Sequence, residues 1–164
     1  MKTEQEALAA LTALCARGEH CSQEMLDKMA RWEVEQTAQA RVMEHLTQHK
    51  YIDDERFTRA FVNDKIKYNK WGRRKIEQAL WAKRIPRETM NSVLDEIDDS
   101  EYLSVLRPLL AAKRLSIKAA NAYEEKVKLM RFALSRGFTP DLIYQCIDGA
   151  EEIPSNSSSP TPIS

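Results

Sequence analysis

Glycine and proline are scarce in this chain. Four Gly and six Pro are spread over 164 residues, and two of the Pro fall among the last five. Val, Ile and Thr never alternate with polar residues over a strand length, so no segment has the period of a half-buried strand. No apolar run reaches about 18 residues, and no membrane span is expected. Only three cysteines occur, Cys15, Cys21 and Cys146, with no CxxC pair and one left over. A reduced, cytoplasmic protein is the economical reading. The opening "MKTEQEALAALTALCARGEH" becomes charged too soon for a secretory signal. There is no glycine-rich phosphate loop, no HExxH, and no Ser or Cys in a nucleophile motif. No enzyme, cofactor or metal site is expected.

What remains is rich in Ala, Leu, Glu, Lys, Arg, Gln and Met, which are good helix formers. An all-α fold follows. The formal net charge is zero, but it is unevenly placed. Residues 1–55 hold 6 basic and 11 acidic side chains, residues 56–87 hold 11 and 2, and residues 88–164 hold 8 and 12. A basic middle between acidic ends is the first hint of function, with a solvated helix surface as the alternative on charge alone.

The apolar residues repeat with a long period. Val34, Ile85 and Phe138 form one column, each after a short charged stretch: "ARWEV", "AKRI" and "SRGF". Five residues upstream lie Met29, Leu80 and Ala133; nine upstream lie Met25, Ile76 and Leu129. Val42, Val93 and Cys146 align downstream, followed by Met43, Leu94 and Ile147. The separations are helical, so each block is helix, turn, helix. A further helix precedes each block, on Leu8, Leu11 and Leu14, then Phe57, Phe61 and Tyr68, then Tyr102, Leu106 and Leu109. The expectation is three tandem three-helix repeats in an elongated, curved array. They cover 1–50, 51–98 and 99–150, before a disordered tail at 151–164. The nine helices fall near 4–17, 22–31, 35–49, 54–68, 72–83, 87–97, 100–114, 119–135 and 139–149. Pro86 and Pro140 suit first turns, Thr139 an N-cap, and Gly137 and Gly149 positions just past helix ends. Pro108 conflicts with its helix and predicts a kink or a late start.

The acidic run in "YIDDERF", residues 51–57, raises the question of chemistry. Asp53 falls at an N-cap, with Asp54 and Glu55 in the first turn, where carboxylates satisfy orphan N–H groups. Tyr51 and Ile52 are placed to staple that turn. A metal site would need ligands from elsewhere, so capping is the preferred reading. His45 and His49 share a helix face without a third ligand, which reads as a surface pair. Cys21 lies at a helix start that could lower its pKa, although a capping position explains it better. The basic module "RFTRAFVNDKIKYNKWGRRKIEQALWAKRIPR" is harder to explain structurally. Arg73, Arg74 and Lys75 open the fifth helix, where cations oppose the macrodipole. A local cost without structural benefit points to an anionic partner. Trp71 adds aromatic area. Trp81 is expected to pack on the next repeat, as its counterpart Leu134 suggests.

At these residues the chain resembles the RecX family, regulators of the bacterial recombinase RecA. "YIDDERFTRAF", "WGRRKIEQALWAKRI", "RGEHCSQEMLDKM" and "LSRGFTPDLI" carry the likeness, from about residue 7 to 149. Cys21, Ala79 and Arg84 depart from the family pattern. Arg84 stands in place of a glycine and is expected to change its turn, since Arg tolerates positive φ poorly. The resemblance implies a non-enzymatic negative regulator that binds the RecA–DNA filament and inhibits its ATPase and recombination activities. It also implies a role in DNA repair and the SOS response. The alternative is a stand-alone nucleic-acid-binding module contacting single- or double-stranded DNA. Either partner would meet Arg59, Lys67, Lys70, Trp71, Arg73, Arg74, Lys75, Lys83, Arg84 and Arg87, on a monomer that does not enter membranes.

Overall fold

The computed structural model describes residues 1–152. Among the described residues there are nine α-helices and no strand. They are α1 (Glu4–Arg17), α2 (Ser22–Arg31), α3 (Gln36–Gln48), α4 (Asp54–Lys67), α5 (Arg73–Ala82), α6 (Arg87–Leu94), α7 (Asp99–Ser116), α8 (Ala122–Ser135) and α9 (Pro140–Glu152). Every expected helix is present. Gly149 does not end α9, which continues through Glu151 and Glu152. A glycine costs a helix only about 1 kcal/mol. The rest of the expected tail, 153–164, lies outside the described residues. The chain forms two compact units, Met1–Asn63 with Gln78–Glu96, and Asp64–Glu77 with Ile97 onward. Thus α4 and α5 each contribute to both.

One turn is built three times. After α2, α5 and α8 the chain takes a left-handed residue: Glu33 at φ 60°, Arg84 at 59° and Gly137 at 94°. The next residue is Val34, Ile85 or Phe138. Its N–H donates back to the carbonyl of Met29 (3.0 Å), Leu80 (3.1 Å) or Ala133 (3.2 Å). This six-residue return bond satisfies a carbonyl orphaned at the helix end. All six of these residues are buried. The sequence column of Val34, Ile85 and Phe138 is therefore the set of residues that close these turns. Arg84 does not alter its turn. It adopts the left-handed conformation that glycine would favour, because the return bond and buried Ile85 over-determine the backbone.

The turn carbonyls also receive the preceding segment. The Gly72 N–H donates to Arg136 O at 2.8 Å, and the Arg74 N–H to Gly137 O at 3.0 Å. The carbonyl end of α8 thus faces the N–H end of α5, a favourable pairing of helix termini. The corresponding Lys83 carbonyl lies 3.9 Å from the Cys21 sulfur at the start of α2. In the first repeat, Lys2 N–H donates to Trp32 O at 3.0 Å. Lys2 thus meets the Trp32 carbonyl as Gly72 meets that of Arg136. The approach at Gly72 is close. A Cβ on it would come within 2.4 Å of the Phe138 backbone nitrogen.

The acidic run answers to capping twice. Asp53 Oδ1 accepts from the Glu55 and Arg56 N–H groups at 3.1 Å each, so it caps α4. Asp54 Oδ1 accepts from Ser22 N–H at 2.8 Å and so caps α2 from another helix. Ile52 is buried beneath. Pro108 starts no helix late: α7 begins at Asp99 and runs through it. Proline removes the bond to the Ser104 carbonyl, but both residues are exposed, so water can replace it. Tyr68 does not join the apolar face of α4. It is 69% exposed just past the helix end, while Val62 and Ile66 are buried.

Two substitutions test this framework. Gly72→Ala should lower stability by more than about 3 kcal/mol, because backbone rather than a movable side chain blocks the added methyl. Asp53→Ala should lower it by about 0.5–2 kcal/mol, with helical content retained. Urea denaturation monitored by circular dichroism reads both; a neutral Gly72→Ala would refute the close approach.

Candidate functional site

Burial pushes the thiols of Cys15, Cys21 and Cys146 up, away from the range of an activated nucleophile. Desolvation comes first at Cys21; the Glu24 N–H at the helix start pulls the other way, but burial, joined by the Glu24 and Asp54 carboxylates, outweighs it. Burial also pushes the Tyr102 phenol up to about 12, so it stays neutral. His45 and His49 stack with ring centroids 4.1 Å apart, and no group of three metal-ligating side chains occurs among the described residues. No described helix is long and apolar enough to cross a membrane.

The ten expected contact residues divide between the two units. In the first, Arg59 is held by Glu96 and Glu55, whose hydrogen bonds raise its pKa further. Lys83 pairs with Glu24 at 3.0 Å and lies over the Phe57 and Phe61 rings. The Glu24 carboxyl is partly desolvated, which would raise its pKa. The Cys21 N–H and the Lys83 ammonium outweigh that and hold it low. Arg84 and Arg87 are exposed, with no acidic partner among the described residues. Trp81 does not pack; it is 73% exposed.

In the second unit, Arg73 pairs with Glu77 at 3.0 Å. Lys67, Lys70 and Arg74 are exposed, and Lys75 is half-buried; none has an acidic partner among the described residues. Trp71 is half-buried, and the ammonium groups of Lys65 and Lys75 lie 5.0 and 4.9 Å from its ring centroid. It positions two cations, each held by the ring quadrupole. Six basic residues lie between 64 and 77, against Asp64 and Glu77.

Two participants escaped sequence reasoning. Lys65 lay on α4, and only the fold brings it to Trp71. Arg136 lay in another repeat, and it reaches this corner through the Gly72 bond to its own carbonyl. The repeat offsets carried a usable signal. Glu24 and Lys83, which form a salt bridge, correspond to Lys75 and Arg136 one repeat on. The first junction joins opposite charges; the equivalent positions of the second carry two cations. Arg136 packs over Phe132, 5.0 Å from the ring centroid.

Comparison with known proteins places this architecture. The model of the second three-helix domain of RecX matches residues 53–94, and that of the third matches 100–147. The chain belongs to the RecX family. The regulatory protein RecX of Chlorobium limicola is 28% identical over 147 residues, covering 88% of this chain and 89% of its own length. That of Acinetobacter baylyi is 27% identical over 140 residues, covering 85% of each. A crystal structure of RecX from Lactobacillus salivarius shares the fold at a TM-score of 0.80 and 17% identity, over 90% of this chain and 96% of that one. The three-helix repeats of this RecX-family chain are therefore its family's architecture.

Arg84 offers a test of whether the site is built at the expense of stability. A non-glycine residue in the left-handed region carries roughly 1 kcal/mol of strain. Arg84→Gly should therefore stabilise the fold by up to about 1 kcal/mol, seen as a rise in melting temperature. A lower melting temperature would show that the arginine side chain, rather than the turn, contributes the stability.

Proposed function

We propose that this chain is a non-catalytic negative regulator of RecA that binds the RecA–DNA filament and slows its ATP turnover and recombination. Membership of the RecX family supports the partner. The observation that carries the contact is the second junction, where Lys75 and Arg136 occupy positions that hold a Glu–Lys salt bridge in the first. Like charges on adjoining elements are unfavourable, and an anionic group from a partner reverses the sign. Lys67, Lys70 and Arg74 extend the same uncompensated charge along the α4–α5 corner. Arg59, Arg73 and Lys83 contribute less, because their charges already meet carboxylates within the chain.

The test is RecA's DNA-dependent ATPase with increasing amounts of this protein. The wild type should slow it at up to stoichiometric ratios and show no ATPase of its own. Lys70→Glu combined with Arg74→Glu should weaken inhibition at least tenfold. The fold should hold, because a carboxylate at position 74, in the first turn of α5, favours that helix by about 0.3–1 kcal/mol and offsets the loss of the Lys70 ammonium's bond to the Lys67 carbonyl at the end of α4. An unchanged RecA rate at excess protein would sink the regulator reading; a fully inhibitory double variant would sink the cationic corner.

A further inference from the structure

The three equivalent turns are internal controls. Each makes the same return bond over a buried apolar residue, while the residues around it differ. The position four residues before that apolar residue is Ala30, Trp81 or Leu134. The left-handed position is Glu33, Arg84 or Gly137, and the one two residues after the apolar residue is Gln36, Arg87 or Pro140. The backbone therefore requires none of the three residues found in the second repeat. Trp81 leaves 73% of its surface in water, and Arg84 holds a strained backbone that Gly137 relaxes.

We propose that Trp81, Arg84 and Arg87 form a binding site for single-stranded nucleic acid, with the indole stacking on an unpaired base and the two guanidinium groups on the flanking phosphates. The residue types fit that ligand. Stacking on an exposed aromatic needs a base freed from a duplex, and arginine neutralises the backbone on either side. A protein docking site fits less well. Hot-spot aromatics sit within an apolar, water-excluding surround. The only other large exposed apolar residues in the described part of this unit are Met1 and Tyr51, and Arg84 and Arg87 are charged and lack acidic partners among the described residues. The other two tryptophans are poor stacking platforms. Trp71 is engaged by two ammonium groups, and Trp32 by that of Lys2 at 5.1 Å.

This site goes beyond the regulator reading and does not depend on it, since it needs no recombinase. The experiment is titration of the full chain with a short fluorescein-labelled oligothymidylate, a duplex of equal length and poly-glutamate as competitor, without RecA. The oligothymidylate should bind more tightly than the duplex and quench tryptophan emission. Trp81→Ala should weaken its binding about tenfold or more, Trp81→Phe should retain most of it, and neither should change the melting temperature. Arg84→Gly with Arg87→Gln should flatten the salt dependence by about 1.4 in log–log slope, the value for two phosphates on a single strand. No oligothymidylate binding, equal binding by Trp81→Ala, or equal affinity for duplex would each overturn the proposal. So would poly-glutamate displacing the strand at matched charge, which would make the site a receptor for acidic protein. The ATPase assay with the Lys70 and Arg74 reversal is separate, so either reading can fail alone.

Discussion

The bond from the N–H of Val34, Ile85 or Phe138 to the carbonyl five residues earlier is the constraint on which the rest depends. It ends a helix and fixes a left-handed residue in one step, and in these three turns the residue that donates it is buried. It also fixes where the adjacent carbonyl points. That carbonyl, on Trp32, Lys83 or Arg136, is where the preceding segment docks. Helix ends are usually where backbone groups are hardest to satisfy. Here they are satisfied by neighbouring segments, so joining the repeats and capping the helices are largely the same event.

This economy separates structural residues from the others. The apolar column is the same kind of residue in all three copies, because its burial is part of the turn. The positions around it vary in charge and size without changing the return bond. Where they vary toward uncompensated cations and an exposed indole, as in the second repeat, the fold does not account for the choice. Salt bridges show the same division. Arg59, Arg73 and Lys83 are basic residues with internal partners, whereas Lys70, Arg74 and Arg87 are basic residues exposed to whatever approaches. A count of charge along the chain treats these two groups alike.

Much of the fold was legible in the sequence, because helical periodicity, cap residues and a repeated column are local signals. The helices lie where the spacing of Met25, Met29 and Val34 and their counterparts placed them, and Asp53 caps as its position implied. The errors have local causes too. Pro108 predicted a kink or a late start, and the late start does not occur: α7 begins at Asp99, since the carbonyl bond that the proline removes faces solvent. Tyr68 continued the period of α4, but the helix ended one residue before it.

By itself the sequence determined the all-α class, the three-helix repeats, the family and the concentration of positive charge in residues 56–87. Each of these is written in spacing along the chain. Only the tertiary structure decided which cations are neutralised, that Asp54 caps a helix other than its own, that Lys65 shares a tryptophan with Lys75, and that Trp81 stands in water. These depend on which elements meet across long separations in the chain, and a side chain's electrostatic state is set by those neighbours rather than by its place in the row.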